Sequence, residues 1–314
     1  MASEKSRVST NSGRAIITAT TALHPAWAVH VPQVMTDGYS LEITAKDVEA
    51  LKVAAPLIAP ETPIAITFLP GETVDARIAA AVTVRSLGFE PMPHLSARRL
   101  ESHADLQSMI ERATGEAGVE RMFVIAGDPP VPAGPFADTL SVVRTGLLER
   151  SGIRAVGIAG HPDGHTAMDR EALWQALEDK RAEIELRGMA PLIVTQFGFD
   201  AAPFLAWLSE LRARGIDAPV RIGVPGPAGI KTLLRFAAHC GVGASASVMA
   251  KYGVSLTRLL GTAGPDALVD AFGRGIGPEH GAVRLHFYPF GGLSRTVEWI
   301  RDYDAAQAKK GRTV

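Results

Sequence analysis

Eight short β-rich apolar runs, each followed by a longer stretch of helical periodicity, constrain this chain more than any other feature of its sequence. The runs lie at 40–43, 64–68, 90–94, 121–126, 154–159, 192–196, 220–224 and 283–287. Near-continuous apolar strands alternating with helices predict a parallel sheet covered on both faces. Eight is the number that closes a (β/α)8 TIM barrel, with an open doubly wound sheet plus an added lobe as the alternative. The helices carry their own signals. Thr44 with Asp47 three residues on reads as a capping box before a helix whose apolar face holds Val48 and Leu51. Over 168–187, Leu173, Leu177 and Ile184 share a face and Gly188 marks the stop; over 203–214, Phe204, Trp207, Leu208 and Leu211 repeat the design.

The chain has 314 residues, which one barrel of about 250 residues and a tail would fill. The expected division is a partly ordered leader over 1–37 and a single barrel over 38–314. The leader is rich in Ser, Thr and Ala and lacks the long apolar core of a signal peptide. Its Trp27 and His24-Pro25 step suggest that the later half packs on the barrel. With 32 Lys and Arg against 33 Asp and Glu, there is no electrostatic footprint for nucleic acid. Gly, Pro or charge interrupts every apolar run before the roughly 20 residues a membrane span needs. One cysteine, Cys240, excludes an internal disulfide and a cysteine-based zinc site, so a reducing compartment, the cytoplasm, is expected.

Barrel enzymes hold their chemistry at the C-terminal ends of the strands. All the runs but the seventh end there in polar groups: Glu42, Thr67, His94, Asp128 in Gly-Asp-Pro-Pro, His161 and His165 in His-Pro-Asp-Gly-His, Gln196 in Thr-Gln-Phe-Gly-Phe-Asp, and His286 before Phe287-Tyr288. Each has a plain structural reading alone, as a cap, a turn residue or a β-former; their shared placement favours a site. Pro162 and Gly164 forbid the helix that would turn His161 and His165 onto one metal, so no metal is expected. Gly241-Val-Gly-Ala-Ser-Ala246 formally fits a dinucleotide fingerprint, but it follows a helical stretch at 230–239, not a strand, and reads as a tight turn.

An early strand ending in Glu, then Gly-Asp-x-Pro, Pro-x-x-His, Thr-Gln-Phe-x-Phe-Asp and a late His-Phe-Tyr, in that order, resembles the methylenetetrahydrofolate reductase family from about 39 to 302. The resemblance implies an FAD-dependent barrel of one-carbon metabolism and methionine biosynthesis that interconverts 5,10-methylenetetrahydrofolate and 5-methyltetrahydrofolate, with NADH or NADPH as co-substrate and hydride passing through flavin N5. It further implies Glu42 as general acid, Asp128 as the carboxylate beside flavin and pterin, and Gln196 with Phe199 and Ile230 at the folate. Thr67, His94, Gly127, Phe136, Ala137 and His165 match cofactor positions, and Lys180 or Arg181 the contact to the FAD diphosphate. The expected partners are folate and further copies of the chain, with no nucleic acid and no membrane. Two alternatives stay open: a flavin barrel acting on another pterin or a deazaflavin, and a non-catalytic folate-binding member.

Departures from the family pattern are concentrated near the site. Leu41-Glu42-Ile43-Thr44 stands where Phe-Glu-Phe-Phe is usual, and Ala126 where an arginine precedes Gly-Asp. Ile230 takes a position often aromatic, and Gly291-Gly292 that of an Asn-Arg pair.

Overall fold

The computed structural model describes residues 34–69, 71–239 and 262–311. Eight parallel strands form its centre: β1 (Ser40–Ile43), β2 (Pro63–Ile66), β3 (Glu90–Ser96), β4 (Arg121–Ile125), β5 (Ala155–Gly160), β6 (Ala190–Phe197), β7 (Val220–Pro225) and β8 (Val283–Tyr288). Each pairs with its neighbour in sequence, and β8 closes on β1 through Ser40–His286 and Leu41–Phe287. The fold is therefore the (β/α)8 barrel expected from the eight runs. β3 and β6 extend beyond the expected spans because barrel neighbours supply hydrogen-bond partners that local apolar pattern does not report. A two-stranded antiparallel pair, Ala228–Gly229 with Thr262–Ala263, lies outside the barrel.

Side-chain caps start most of the surrounding helices. Asp47 accepts from Thr44 N at 2.8 Å, completing the expected capping box, although the first turn, Ala45–Asp47, is 3-10 before the α-helix Val48–Ala54. The helix expected from 168 begins at Arg170 and runs to Leu186, because Asp169 outside it accepts from Ala172 N at 2.8 Å. It meets the helix Ala201–Ala213 through Trp174 and Trp207, stacked at 5.4 Å. The leader over 1–37 and the Gly241–Ala246 turn lie outside the described residues except for 34–37, where Met35 is buried and Thr36 donates to Asp304 of the helix Leu293–Gly311.

Two apolar cores result. The larger fills the space between barrel and helices; the smaller, Ala65, Met92, Phe123, Leu192 and Val194 with Ile125 and Ala159 against it, fills the barrel itself. Residues paired across parallel strands face the same way, so the register stacks the interior in layers. Arg121, Arg221 and Arg284 form the floor, with Glu90 at 4.0 Å from Arg121 and the Gly38 carbonyl accepting from Arg221 at 3.0 Å. Burial, then the neighbouring Arg121 and Arg284, pushes the Arg221 guanidinium down to about 9. Phe123 is admitted to the middle layer because its register partner is Gly157, where a Cβ would stand 2.6 Å from the Phe123 ring.

The pairing of β6 with β7 slips between Val194 and Phe197. There the Thr195 hydroxyl accepts from Gly223 N at 2.9 Å and donates to the Gln196 carbonyl at 2.8 Å, so a side chain replaces a ladder bond. Such bulges re-aim the residues around them. Gly223 has no room for a Cβ, which would meet the Gln196 carbonyl oxygen at 2.5 Å. Gly223→Ala is thus expected to lower stability by about 2–3 kcal/mol, the scale of overpacking a tight core, and urea denaturation checks it. A loss under about 0.5 kcal/mol would mean that the two strands part freely.

Candidate active site

β1, β3 and β8 bring three titratable groups together at the C-terminal mouth. Glu42 Oε2 lies 3.5 Å from His94 Nε2 and 3.7 Å from His286 Nε2. Both histidines are buried, at 4% and 1% exposure, while the Glu42 side chain keeps 18%. Ser40, two residues before Glu42 and on the same face, lies 2.8 Å from His286 Nδ1 and 3.5 Å from the Leu285 carbonyl. The Ser40 hydroxyl, between that ring nitrogen and the Leu285 carbonyl, holds the His286 ring in place. His286 Nε2 is thereby turned toward the Glu42 carboxyl. His286 belongs to the strand-end series; Ser40 is the member that reasoning from sequence passed over, although its i, i+2 spacing from Glu42 was a usable signal.

Burial pushes the His94 imidazole down from 6.5 to about 4, with Glu42 opposing and His286 and Arg77 adding to it. His161 is likewise pushed down to about 4 by burial, then by Lys180 and His165. A histidine held below its unfolded value refuses protons that the unfolded chain accepts, so stability is full above about 6.5 and falls as pH drops toward 4. His94 alone is expected to cost about 2 kcal/mol between pH 6.5 and 5. Asp163, raised to about 6 by burial and Asp200, works the other way, weakened by its exposure to water. Denaturant titrations at pH 7 and pH 5 check the sign, and His94→Gln should remove its share of the slope.

The β4 loop places the next group. Gly127 turns at φ +91°, and the Asp128 side chain stands 90% exposed, 3.9 Å from Arg99 and apart from the Glu42 centre. Phe136, expected along a cofactor, is buried in the larger core against the His103 ring at 4.8 Å; Ala137 is exposed, and its carbonyl accepts from Arg98 at 2.7 Å. Thr67 follows β2 and is tied through its N–H to the Ile43 carbonyl at 2.8 Å, beside the end of β1.

A cavity of about 580 Å³ opens behind the β5 loop, lined by His161, Asp163, His165, Met168, Trp174 and Trp207 among others. His161 and His165 meet edge to face at 5.3 Å, and His165 Nδ1 accepts from Ala167 N. Of the two cations considered for a diphosphate, Arg181 is engaged by Glu185 at 2.6 Å. Lys180 is pushed down to about 8 by burial, with the Asp138 charge opposing. Among the described residues, no group of three or more His, Cys, Asp or Glu could hold a metal ion.

Gln196 emerges half-buried at the β6 bulge. Phe199 and Ile230, expected at the substrate, are core residues at 1% and 3% exposure: Phe199 packs edge to face on Phe197, and Ile230 starts the helix Ile230–His239 with its side chain inward. The half-buried aromatic surface on this side of the mouth is Tyr288, Phe290 and Phe236, the last two stacked at 4.1 Å. Gly291 lies against the Pro227 carbonyl where no Cβ fits, and Gly292 has φ +104°, which accounts for glycines at both positions.

The model of the methylenetetrahydrofolate reductase family matches residues 30–288. The chain belongs to that family. Among curated methylenetetrahydrofolate reductases, it is 28% identical over 169 residues to methylenetetrahydrofolate reductase 2 of Saccharomyces cerevisiae, covering 51% of this chain and 26% of the yeast protein. To methylenetetrahydrofolate reductase (NADH) 1 of Arabidopsis thaliana it is 24% identical over 238 residues, 69% of this chain and 39% of the plant protein. It thus spans well under half the length of these relatives. A solved Clostridium thermocellum protein described as binding two copies of 5-methyl-5,6,7,8-tetrahydrofolic acid shares the fold, with TM-score 0.55 at 12% identity over 86% of this chain and 94% of that one. No described helix of this family member is long and apolar enough to cross a membrane.

Proposed function

We propose that this chain interconverts 5,10-methylenetetrahydrofolate and 5-methyltetrahydrofolate, with FAD as bound cofactor and NADH or NADPH as co-substrate. The observation that carries the reading is Glu42, half-buried at the mouth of a family barrel between two buried histidines. The names of the yeast and plant relatives, and the folate described for the Clostridium protein, support it.

The residues present fit a flavin dinucleotide. Among the described residues neither buried ring nitrogen of His94 has a hydrogen-bond partner, Glu42 standing 3.5 Å from Nε2, as befits a group facing a ligand's polar edge. Lys180 is a desolvated cation with no side-chain ion pair among the described residues, suited to an anionic diphosphate. Thr67, His94, Gly127 and His165 would line the cofactor, with Lys180 at its diphosphate. Once bound, the flavin supplies the hydride chemistry.

The chain's own contribution is positioning and proton transfer. Glu42 holds a proton at its carboxyl and delivers it to the folate amine nitrogen as the methylene bridge opens. His286, fixed by Ser40, faces that carboxyl and keeps its orientation. The Gln196 amide, aimed by the bulge, recognises the pterin edge, and the Asp128 carboxylate takes the opposite side of the mouth. The apolar barrel interior under Glu42 keeps water from reaching the reacting atoms from below.

The deciding experiment is an absorption spectrum of the purified protein, followed by anaerobic reduction with NADH or NADPH and reoxidation by methylenetetrahydrofolate. A yellow protein that completes both steps is the expected result. A preparation that stays colourless after incubation with FAD overturns the cofactor assignment. Flavin reduction without folate turnover points to a different pterin or a deazaflavin.

A further inference from the structure

Two adjacent arginines that neither the family pattern nor the strand-end series singles out lie where β3 ends, in the 3-10 turn Ala97–Arg99. Arg98 is bound to the β4 loop at four points. Its N–H donates to the Ala126 carbonyl at 2.9 Å and its own carbonyl accepts from Ala133 N at 2.8 Å. Its guanidinium donates to the Ala137 carbonyl at 2.7 Å and the Pro129 carbonyl at 3.3 Å. The loop spanned by these contacts holds Gly127 and Asp128, and Gly134 within it packs against the Glu101 carbonyl where no Cβ fits. Four prolines, Pro129, Pro130, Pro132 and Pro135, leave this loop few N–H donors of its own, so its position must be set from outside.

Arg99 points to the other side. Its guanidinium lies 4.6 Å over the Phe68 ring, Arg77 lies 4.6 Å over the same ring, and Arg77 donates to the His94 carbonyl at 3.4 Å. Arg99 is thus seated by the stack on Phe68, and Asp128, 90% exposed, comes to it at 3.9 Å. A continuous series, Asp128, Arg99, Phe68, Arg77 and His94, joins the loop to the Glu42 centre.

We propose that Arg98 and Arg99 are positioning residues that set the Gly127–Asp128 loop over the mouth: Arg98 clasps the loop backbone, and Arg99 orients the Asp128 carboxylate and supplies the positive charge beside it. The functional half of this inference rests on the proposed role of Asp128 at the folate and cofactor; the clasp itself does not.

Hydrogen exchange on the ligand-free protein tests the clasp. Arg98→Met should speed amide exchange across 126–138 about tenfold, with 201–213 unchanged, and Arg98→Lys, which keeps the charge but loses the fork, should fall between. Unchanged loop exchange in both variants overturns it, as does equal acceleration everywhere. Arg99→Met in the holoenzyme should raise the folate KM about tenfold with kcat changed by less than about threefold, and Arg99→Lys should recover part of the loss. A merely structural Arg99 would leave the KM unmoved, and that result overturns its assigned role. A wild-type protein that turns over no folate defeats the proposed function, while the exchange measurement still decides the clasp.

Discussion

Glu42→Gln is expected to slow the folate half-reaction about a thousandfold, the scale of a lost general acid, while flavin content and reduction by the nicotinamide change by less than about twofold. The split follows from geometry. Glutamine keeps the size of the carboxyl and can still face His286 Nε2 across the 3.7 Å gap through its amide N–H, so the mouth should hold its shape. What it cannot do is release a proton to the folate nitrogen. The two half-reactions, followed separately by stopped-flow absorbance under anaerobic conditions, give the comparison directly. Intact folate turnover in Glu42→Gln would remove Glu42 from the chemistry, and a parallel loss of nicotinamide-driven reduction would make the effect structural.

Lys180→Met is expected to weaken FAD binding about a hundredfold, the worth of one charge-assisted bond to a diphosphate in a partly desolvated place. Lys180 carries a second, sharper signature. Burial holds it at about 8 in the free protein, so above that pH a proton must be taken up before the cation can meet an anion. The apparent FAD dissociation constant should therefore be flat below pH 8 and rise about tenfold for each further pH unit. In Lys180→Met that rise should vanish. Arg181 is the internal control: its charge is answered by Glu185, and Arg181→Met should leave FAD affinity within about threefold. Fluorescence titration of apoprotein with FAD from pH 7 to pH 9.5 checks each arm; a pH rise that survives in Lys180→Met would assign the diphosphate contact elsewhere.

The barrel was legible because strands buried on both faces are apolar along most of their length, and runs such as 64–68 leave little else to read. Glu42, His94 and His286 were legible as a set for a related reason. A barrel strand turns polar at its ends, and a polar residue at the C-terminal one is conspicuous after an apolar run. What stayed hidden depends on contacts between segments distant in sequence. Nothing local to Phe199 or Ile230 says whether its side chain turns to the mouth or to the helices; burial of both is decided by packing against Phe197 and the larger core. The β6 bulge needs Thr195 and Gly223, 28 residues apart, to exchange one hydrogen bond. Arg98 reads as surface charge until the loop 30 to 40 residues on is seen resting on it.

The three arginines under the barrel make the interior a vessel with a single opening. Net positive charge on the floor, three arginines against Glu90, disfavours hydronium there, and the apolar layer above offers no side-chain relay, so proton entry from that end is disfavoured. Every proton that Glu42 gives away in the proposed reaction must then be replaced through the same mouth that admits and covers the reactants. Recharging of the acid is tied to departure of the product, which sets an order of events within each cycle: release first, reprotonation second. In steady state this would appear as a solvent isotope effect on the step that follows methyl-group formation, in addition to the one expected on bridge opening, where Glu42 gives up its own exchangeable proton.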